Sequence, residues 1–281
     1  MNAASPDLIQ KYLACAHCKG SLALEKIGYV CTACRRAFET KDDVFLAKPL
    51  GENHYFDNKH EVMQEGNASP ETWTLFYAQQ SRAASELIRQ GDVVVDIGCG
   101  PSIHFDKPSA ALLIGIDPSF ASIRANKDLD VRVFGGAEVM PLGEKSADRI
   151  FMFYSIHHMV GKTVCDNTKN LRAVMRECSR VIRSDGNVVI FDMNPWWPAW
   201  TAQRFLWNQA RSVLADKLDM FFWRGNALQD LTRECFSGAR LETRVFSSSP
   251  FLVFPPVFSL PKLKIPRFLY PFDVMMYKWS F

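Results

Sequence analysis

The sequence predicts an α/β protein with a doubly wound parallel sheet and a small ribbon at its N-terminus. Three observations predict it. The first is Val93-Val-Val-Asp-Ile-Gly-Cys-Gly-Pro-Ser102, three β-branched residues running into an acid and a glycine turn. The second is another apolar run, Ala111-Leu-Leu-Ile-Gly-Ile116, that also ends in an acid, Asp117. The third is a pair of Cys-x-x-Cys segments near the N-terminus. From Val93 to about Asn194 strand-like runs alternate with helical patterns, which is the order of a Rossmann-like sheet with helices on both faces.

Taken in chain order, the ribbon comes first. Cys15 and Cys18 form one pair and Cys31 and Cys34 the other, with 12 residues between the pairs. Each pair points two sulfurs at one centre, and two pairs complete the tetrahedral thiolate shell of structural zinc. With four ligands no position is open for catalysis. The competing reading, a ribbon that folds without metal, is weak because about 45 residues bury little core unaided. His17 reads as an exposed residue within the first pair. The ribbon spans 7–49 and a polar linker spans 50–68, whose His54-Tyr-Phe-Asp57 could fold over a ligand. Ser69 and Pro70 then open a helix carrying Trp73, Phe76, Tyr77, Ala84, Leu87 and Ile88 at helical spacing, and Gly91 stops it.

The glycine turn selects a ligand. Gly98 and Gly100 let backbone N–H groups approach a small molecule, but the third glycine of a dinucleotide fingerprint is replaced by Ile103. Asp96 beside the turn would repel a pyrophosphate. It suits a ligand with an ammonium and a sulfonium and no phosphate, which describes S-adenosylmethionine (SAM). Asp117, 19 residues after Gly98, stands where an acid holds ribose hydroxyls in doubly wound sheets.

Four segments in order resemble the class I SAM-dependent methyltransferases, in the broad group (methyltransferase type 11) that includes the ubiquinone/menaquinone C-methyltransferases. They are Val93–Gly100, Leu112–Ser119, Gly136-Ala-Glu-Val-Met-Pro-Leu142 and Asp148-Arg-Ile-Phe-Met-Phe-Tyr-Ser-Ile-His-His-Met159. Leu171–Asp192, with the turn Ser184-Asp-Gly186, resembles the helix, turn and fifth strand that follow. The resemblance implies a seven-stranded methyltransferase sheet over 69–281 and a SAM site made of Asp96, Gly98, Cys99, Gly100, Asp117, Pro118, Ala137, Glu138, Phe153 and Tyr154. It also puts His157 and His158 at the cofactor edge as candidate bases, His158 slightly ahead, against the alternative that the pair is structural. His104 is a weaker candidate. One departure stands out: the family carries an acid before the Ala of its third segment, to accept from the adenine amino group, and here that position is Gly136. Separately, 7–49 resembles the small zinc-ribbon protein that activates several tRNA and protein methyltransferases as a separate subunit, through Leu13-Ala-Cys-Ala-His-Cys-Lys-Gly-Ser-Leu22, Tyr29-Val-Cys-Thr-Ala-Cys34, Phe38 and Asp43-Val-Phe-Leu46.

Further along, Asp166–Arg183 reads as a helix with Leu171, Val174, Met175, Cys178, Val181 and Ile182 on one face. Residues 195–237 are aromatic-rich and read as a helical insertion over the acceptor pocket. Residues 249–271 carry six prolines in 23 positions, which forbids a long helix. Their apolar side chains fit either packing against the insertion or a membrane surface, with Lys262, Lys264 and Arg267 meeting anionic head groups. Arg240–Ser247 and Asp273–Ser280 read as closing antiparallel strands.

Composition sets outer bounds. A net charge of +3 is mild, and 48% hydrophobic content suits a globular enzyme. No apolar run reaches the length of a membrane span and no signal-peptide pattern opens the chain, so a cytoplasmic protein is expected. The leading expectation is a SAM-dependent methyltransferase of a small-molecule or lipid-like acceptor. An RNA methyltransferase gripping nucleic acid through the ribbon is the alternative. It is weakened because Lys19, Lys26, Arg35, Arg36 and Lys41 are offset by Glu25, Glu39, Asp42 and Asp43. A third reading, a non-catalytic scaffold that binds SAM poorly, is kept open by Gly136.

Overall fold

The structure is a computed structural model and describes residues 6–26, 28–51, 70–214, 218–246, 251–253, 264–266 and 271–281. Most of the expected 50–68 linker, with His54 to Asp57 and the Ser69 cap, lies outside the described residues, as does most of 249–271.

A short helix, Pro6–Tyr12, leads into a three-stranded antiparallel sheet of β1 (Leu22–Glu25), β2 (Gly28–Cys31) and β3 (Ala37–Phe38). The strands β4 (Thr40–Lys41) and β5 (Val44–Leu46) follow. After the helix Pro70–Ser85 come β6 (Val93–Ile97), β7 (Leu112–Asp117), β8 (Val131–Phe134), β9 (Ala147–Phe153) and β10 (Ile182–Pro195). The helices Trp197–Leu214 and Gly225–Arg233 separate β10 from β11 (Arg240–Phe246). A two-stranded ribbon, β12 (Phe251–Val253) and β13 (Lys264–Pro266), precedes the last strand, β14 (Phe272–Ser280).

The main sheet runs β11-β14-β10-β9-β6-β7-β8-β5-β4. Strands β5 to β10 pair in parallel, and β14 and β11 close the far edge antiparallel, as expected for 240–247 and 273–280. The expectation of seven strands is corrected, because the sheet has nine strands among the described residues. The two extra strands come from the N-terminal module. Val44 and Phe45 have no exposed surface, and β5 covers the backbone edge that β8 would otherwise present to solvent. The module therefore does not hang from a linker. Ile9, Leu13, Cys15, Leu22, Tyr29, Phe38 and Phe45 belong to the same apolar cluster as Ile114, Ile116, Val131, Val133, Met140 and Leu142.

Alternation along β6 explains how a continuous apolar run serves two layers. Val93, Val95 and Ile97 face one cluster and Val94 faces the other, so both sides of the strand are covered. The helix between β9 and β10 runs Val164–Val181 and begins two residues earlier than its apolar pattern implied. Thr163 caps it, accepting from the Asp166 N–H while the Asp166 carboxylate accepts from the Thr163 N–H, each at 3.1 Å. Its buried residues Leu171, Val174, Met175, Cys178 and Val181 match the predicted face, but Ile182, expected on the same face, opens β10 instead.

The chain steps outward from β6 to β7 and β8, then crosses to β9 and β10 on the other side. The order of strands reverses beside β6, and the crevice at that reversal, outside the carboxyl ends, is where such sheets bind ligands.

Candidate active site

The glycine turn at the end of β6 is built for close approach. Gly98 has a φ of +69°, and its N–H donates to the Ile116 carbonyl of β7 at 2.8 Å. A Cβ at Gly98 would lie 2.6 Å from the Ser155 Cβ, so only glycine fits between the two turns. Gly100 (φ +59°) differs, because a Cβ there would meet nothing within 4 Å. The space above that peptide is open.

Two carboxylates flank the turn and are held differently. Asp117 accepts from the Gly100 N–H at 2.9 Å through Oδ2 and from the Ser119 N–H at 2.8 Å through Oδ1. Backbone donors therefore hold both of its oxygens in place. Asp96 is 1% exposed, and its Oδ1 meets no hydrogen-bond partner among the described residues. Burial, and then the charge of Asp117, push the Asp96 carboxyl up to about 8. A buried carboxylate without a partner is costly, so the place beside it calls for a cation or a donor. Ser155, on the facing turn after β9, also lacks a partner for its buried Oγ and adds a second unsatisfied group beside Gly98.

The remaining predicted cofactor residues divide. Cys99 is buried against Gly115 of β7 (a Cβ on that glycine would come within 2.8 Å of the sulfur), so its side chain serves packing and only its backbone belongs to the turn. Pro118 sits half-buried just past β7. Ala137 and Glu138 lie on the short turn Ala137–Val139, tied to the end of β7 by the Gly135 N–H donating to the Asp117 carbonyl at 3.1 Å. A Cβ on Gly136 would collide with the Glu138 carboxylate, which folds back over the glycine. Phe153 stacks on Phe191 at 4.5 Å and on Phe105 at 5.7 Å inside an apolar cluster. Tyr154, at φ +49°, accepts from Gln80 Nε2 at 3.0 Å. His104 lies 5.8 Å from Phe153, and burial pulls its imidazole down to about 4.

The two histidines follow β9 on a single turn, Ile156–His158, but face different partners. His157 is 4% exposed, and its Nδ1 lies 2.7 Å from Asp192 Oδ1 on β10. Among the described residues no hydrogen bond engages its Nε2. Phe222 packs on the ring at 4.9 Å, and the Phe221 N–H donates to the His157 carbonyl at 2.8 Å. His158 is more open. Its Nδ1 donates to the Asp219 carbonyl at 3.2 Å and lies 3.6 Å from Asp219 Oδ2. Sequence reasoning missed Asp192, Asp219 and Phe222. Asp192 had a signal: like Asp96 and Asp117, it is an acid at the end of an apolar run.

At the other end of the crevice the cysteine module clamps the segment that carries Ala137 and Glu138. Lys19 Nζ donates to the Met140 carbonyl at 2.9 Å and to Glu177 at 3.0 Å, and the Met140 N–H donates to the same Glu177 oxygen at 2.9 Å. Arg180 bonds Glu177 and the Leu142 carbonyl, each at 2.8 Å. Burial draws the Lys19 ammonium below its ordinary value. Burial also works against the Glu177 carboxylate, but its bonds to Arg180 and Lys19 hold it below the usual range.

The four thiols of Cys15, Cys18, Cys31 and Cys34 lie within 4.8 Å of one another. Cys15 and Cys34 sulfurs are 3.6 Å apart and Cys18 and Cys31 sulfurs 3.4 Å. Tetrahedral Zn–S bonds put sulfurs about 3.8 Å apart, so the donor set fits that ion. The Cys31 thiol is pulled down to about 6, chiefly by the Cys34 N–H, and is ready to act as a thiolate ligand.

Against known proteins, the family model described as a methyltransferase domain matches residues 95–190. The chain is 30% identical over 117 residues to 27-O-demethylrifamycin SV methyltransferase of Amycolatopsis mediterranei, covering 37% of this chain and 40% of that protein. The matches span 47% and 40% of the lengths of two curated relatives, under half of each. A Thermotoga maritima structure described as a SAM-dependent methyltransferase, possible histamine N-methyltransferase, superposes with a TM-score of 0.52 at 18% identity, over 81% of this chain and 98% of that one. A chain from the complex of the Haloferax volcanii Trm112 methyltransferase activator with a candidate methyltransferase gives 0.51 at 15% identity, over 83% and 99%. These likenesses establish the fold.

Proposed function

We propose that this chain, which has the fold of the class I SAM-dependent methyltransferases, moves the methyl group of SAM to a hydroxyl or amine on a small-molecule or lipid-like acceptor. The observation that carries the reading is the orphaned Asp96 carboxylate. With its carboxyl pushed up to about 8, Asp96 holds a proton at neutral pH until a cation arrives. SAM brings an ammonium and a sulfonium and no phosphate. Asp117 ends β7 beside the same turn, where an acid meets ribose hydroxyls in doubly wound sheets. The Glu138 carboxylate, folded over Gly136, occupies the space of the acid expected at that position and serves as the acceptor for the adenine amino group.

When bound, SAM supplies a methyl carbon made electrophilic by its sulfonium, and the protein's task is to align it with the acceptor and exclude water. Asp192 holds the His157 Nδ1–H, which leaves Nε2 as the base. The acceptor oxygen or nitrogen gives its proton to Nε2 while its new bond to carbon forms. SAM would supply the methyl carbon and keep the electron pair of the carbon–sulfur bond on its sulfur as it leaves, and His157 would pass the proton it has taken to water. His157 thus moves ahead of His158, whose Nδ1 faces Asp219. The partial likeness to an enzyme whose name specifies a rifamycin acceptor supports the small-molecule side of this reading.

We read the four cysteines as a structural zinc site, in which every ligand position is filled by protein and none is left for substrate. The module then works as a built-in brace for the cofactor segment.

Calorimetry with SAM tests the central claim. Heat is expected for the unaltered chain, with binding about a hundredfold weaker in Asp96→Asn. Because a cation favours the charged carboxylate, binding releases a proton below pH 8. The dissociation constant should fall by up to about tenfold per pH unit as pH rises toward 8 and then level off. No heat and no thermal shift would leave a non-catalytic scaffold. Label transferred from SAM in cell extracts, sorted into lipid, small-molecule and RNA fractions, identifies the acceptor class. Label confined to RNA would overturn the acceptor proposed here.

A further inference from the structure

Residues 218–224 lead into the helix Gly225–Arg233 without regular structure of their own. Such a segment must find partners for its backbone groups elsewhere. Here side chains supply most of them. Arg211 donates to the Leu218 carbonyl at 2.7 Å, and His158 Nδ1 to the Asp219 carbonyl at 3.2 Å. At Phe222 one side chain meets both backbone groups. Gln203 Nε2 donates to the Phe222 carbonyl at 2.9 Å, and Gln203 Oε1 accepts from the Phe222 N–H at 3.0 Å. An amide side chain is matched to a peptide in this way, donor to acceptor and acceptor to donor, as two paired strand residues are. The exchange fixes the Phe222 backbone in position and in plane.

What the exchange fixes in turn is a ring. Phe221 has no exposed surface and packs on Trp200, Trp207 and Trp223. Phe222 is half-buried and has other partners: it lies 4.9 Å from the His157 imidazole, with the planes 41° apart, and meets Phe272 edge-on at 4.9 Å. Phe272 is tied to the start of the same helix, Trp197–Leu214, because the Trp196 N–H donates to the Pro271 carbonyl at 2.8 Å. Aromatic contacts tolerate a range of angles. The Gln203 pair is directional, and it decides which residue lies over His157. A slip by one position would bring Phe221 or Trp223 there instead.

We propose that Gln203 is a positioning residue, whose amide seats the Phe222 ring against the His157 imidazole. Asp192 holds the imidazole at one atom, Nδ1, and Phe222 holds its face, so the two together set where Nε2 points. The ring also keeps water off that face of the base. The inference rests on the base role given to His157 above. Among the described residues both side-chain hydrogen bonds of Gln203 go to Phe222, so its loss leaves the glycine turn and the SAM carboxylates untouched.

Nuclear magnetic resonance of histidine ring protons in the full chain tests the seating, with His157→Asn identifying the His157 signals. Phe222→Leu removes the ring and gives the His157 shifts expected without it. Gln203→Met keeps the side chain's length and loses both hydrogen bonds, and should move the His157 signals most of the way to those of Phe222→Leu. Gln203→Glu keeps an acceptor for the Phe222 N–H and lacks the donor, and should fall between. With cell extract as acceptor source and saturating labelled SAM, Gln203→Met should transfer label about ten- to hundredfold more slowly, while calorimetry gives the parent's SAM affinity. A purely structural Gln203 would lower the melting temperature and leave the His157 signals and the transfer by folded protein at the parent's values. Unmoved His157 signals in both Gln203 variants, or moved signals with transfer undiminished, would overturn the proposal. A parent that transfers no label would overturn the methyl-transfer reading and the base role with it, even where the His157 signals show Gln203 seating the ring, so the two failures are told apart.

Discussion

The N-terminal module and the helical roof, 197–236, attach to the same sheet in opposite ways. The module is fixed by backbone and charge: β5 pairs with β8, and Lys19, Glu177 and Arg180 lock it to the Met140–Leu142 segment. The roof is fixed by rings, with Trp200, Trp207, Phe221 and Trp223 in mutual contact, and keeps an apolar face in solvent. Directional bonds specify one position, and the module uses them on the segment that follows Ala137 and Glu138. Aromatic packing is less directional and would suit a cover over the acceptor proposed above. The contrast predicts that changes in the module are felt mainly as stability, and changes under the roof mainly as turnover.

The largest expected effect comes from the thiolate cluster. Chelation or Cys31→Ser should remove several kcal/mol of stability, since metal binding in such small modules is folding energy. Thermal melts with matched metal analysis check this, and a metal-free chain that melts unchanged would break the comparison. Next, His157→Asn, which keeps a donor where Nδ1 meets Asp192 and removes Nε2, should lower kcat by about 10²–10⁴-fold while leaving SAM affinity near the parent's. His158→Gln should change kcat far less, and the opposite ranking would return the base to His158. Third, Lys19→Met should cost about 1–3 kcal/mol by leaving Glu177 short of one partner in a half-buried site, read by denaturant unfolding. The smallest is Asp117→Ala, expected to weaken SAM about tenfold, or about 1.4 kcal/mol, in calorimetry. Unchanged affinity would remove Asp117 from the site and leave Asp96 to act alone.

What could be read from the sequence depended on how local the cause was. The glycine turn, the acid ending β7 and the cysteine spacing are set by residues within a turn or two of one another and stand where they were expected, and the helix read over Asp166–Arg183 is found two residues earlier, over Val164–Val181. The merger of β5 with the main sheet could not be read. Three apolar residues, Val44-Phe45-Leu46, say that a strand is buried but not which edge it joins. The His157–Asp192 pair escaped for the same reason, because its partners are 35 residues apart and meet only through the parallel register of β9 and β10. Phe153 shows a different limit. Alternation places it opposite Met152, but only the packed structure reveals that it stacks on Phe191 in a core layer. Glu138 over Gly136 is subtler still, since the replacement of a side chain by its neighbour's carboxylate leaves no trace in spacing.

The short strand β5 has a final consequence, for the chain's behaviour in a crowded solution. The outer boundaries of the sheet are β4, a two-residue Thr40-Lys41 stub, and β11, studded with Arg240, Glu242 and Arg244. Both are poor templates for another chain to grow upon. Trimming away residues 1–49 would strip β8 to its bare amides along Val131–Phe134, whose side chains are all buried. A fragment cut there should precipitate or form oligomers rather than stay monomeric, so the cysteine module also keeps the protein from sticking to itself.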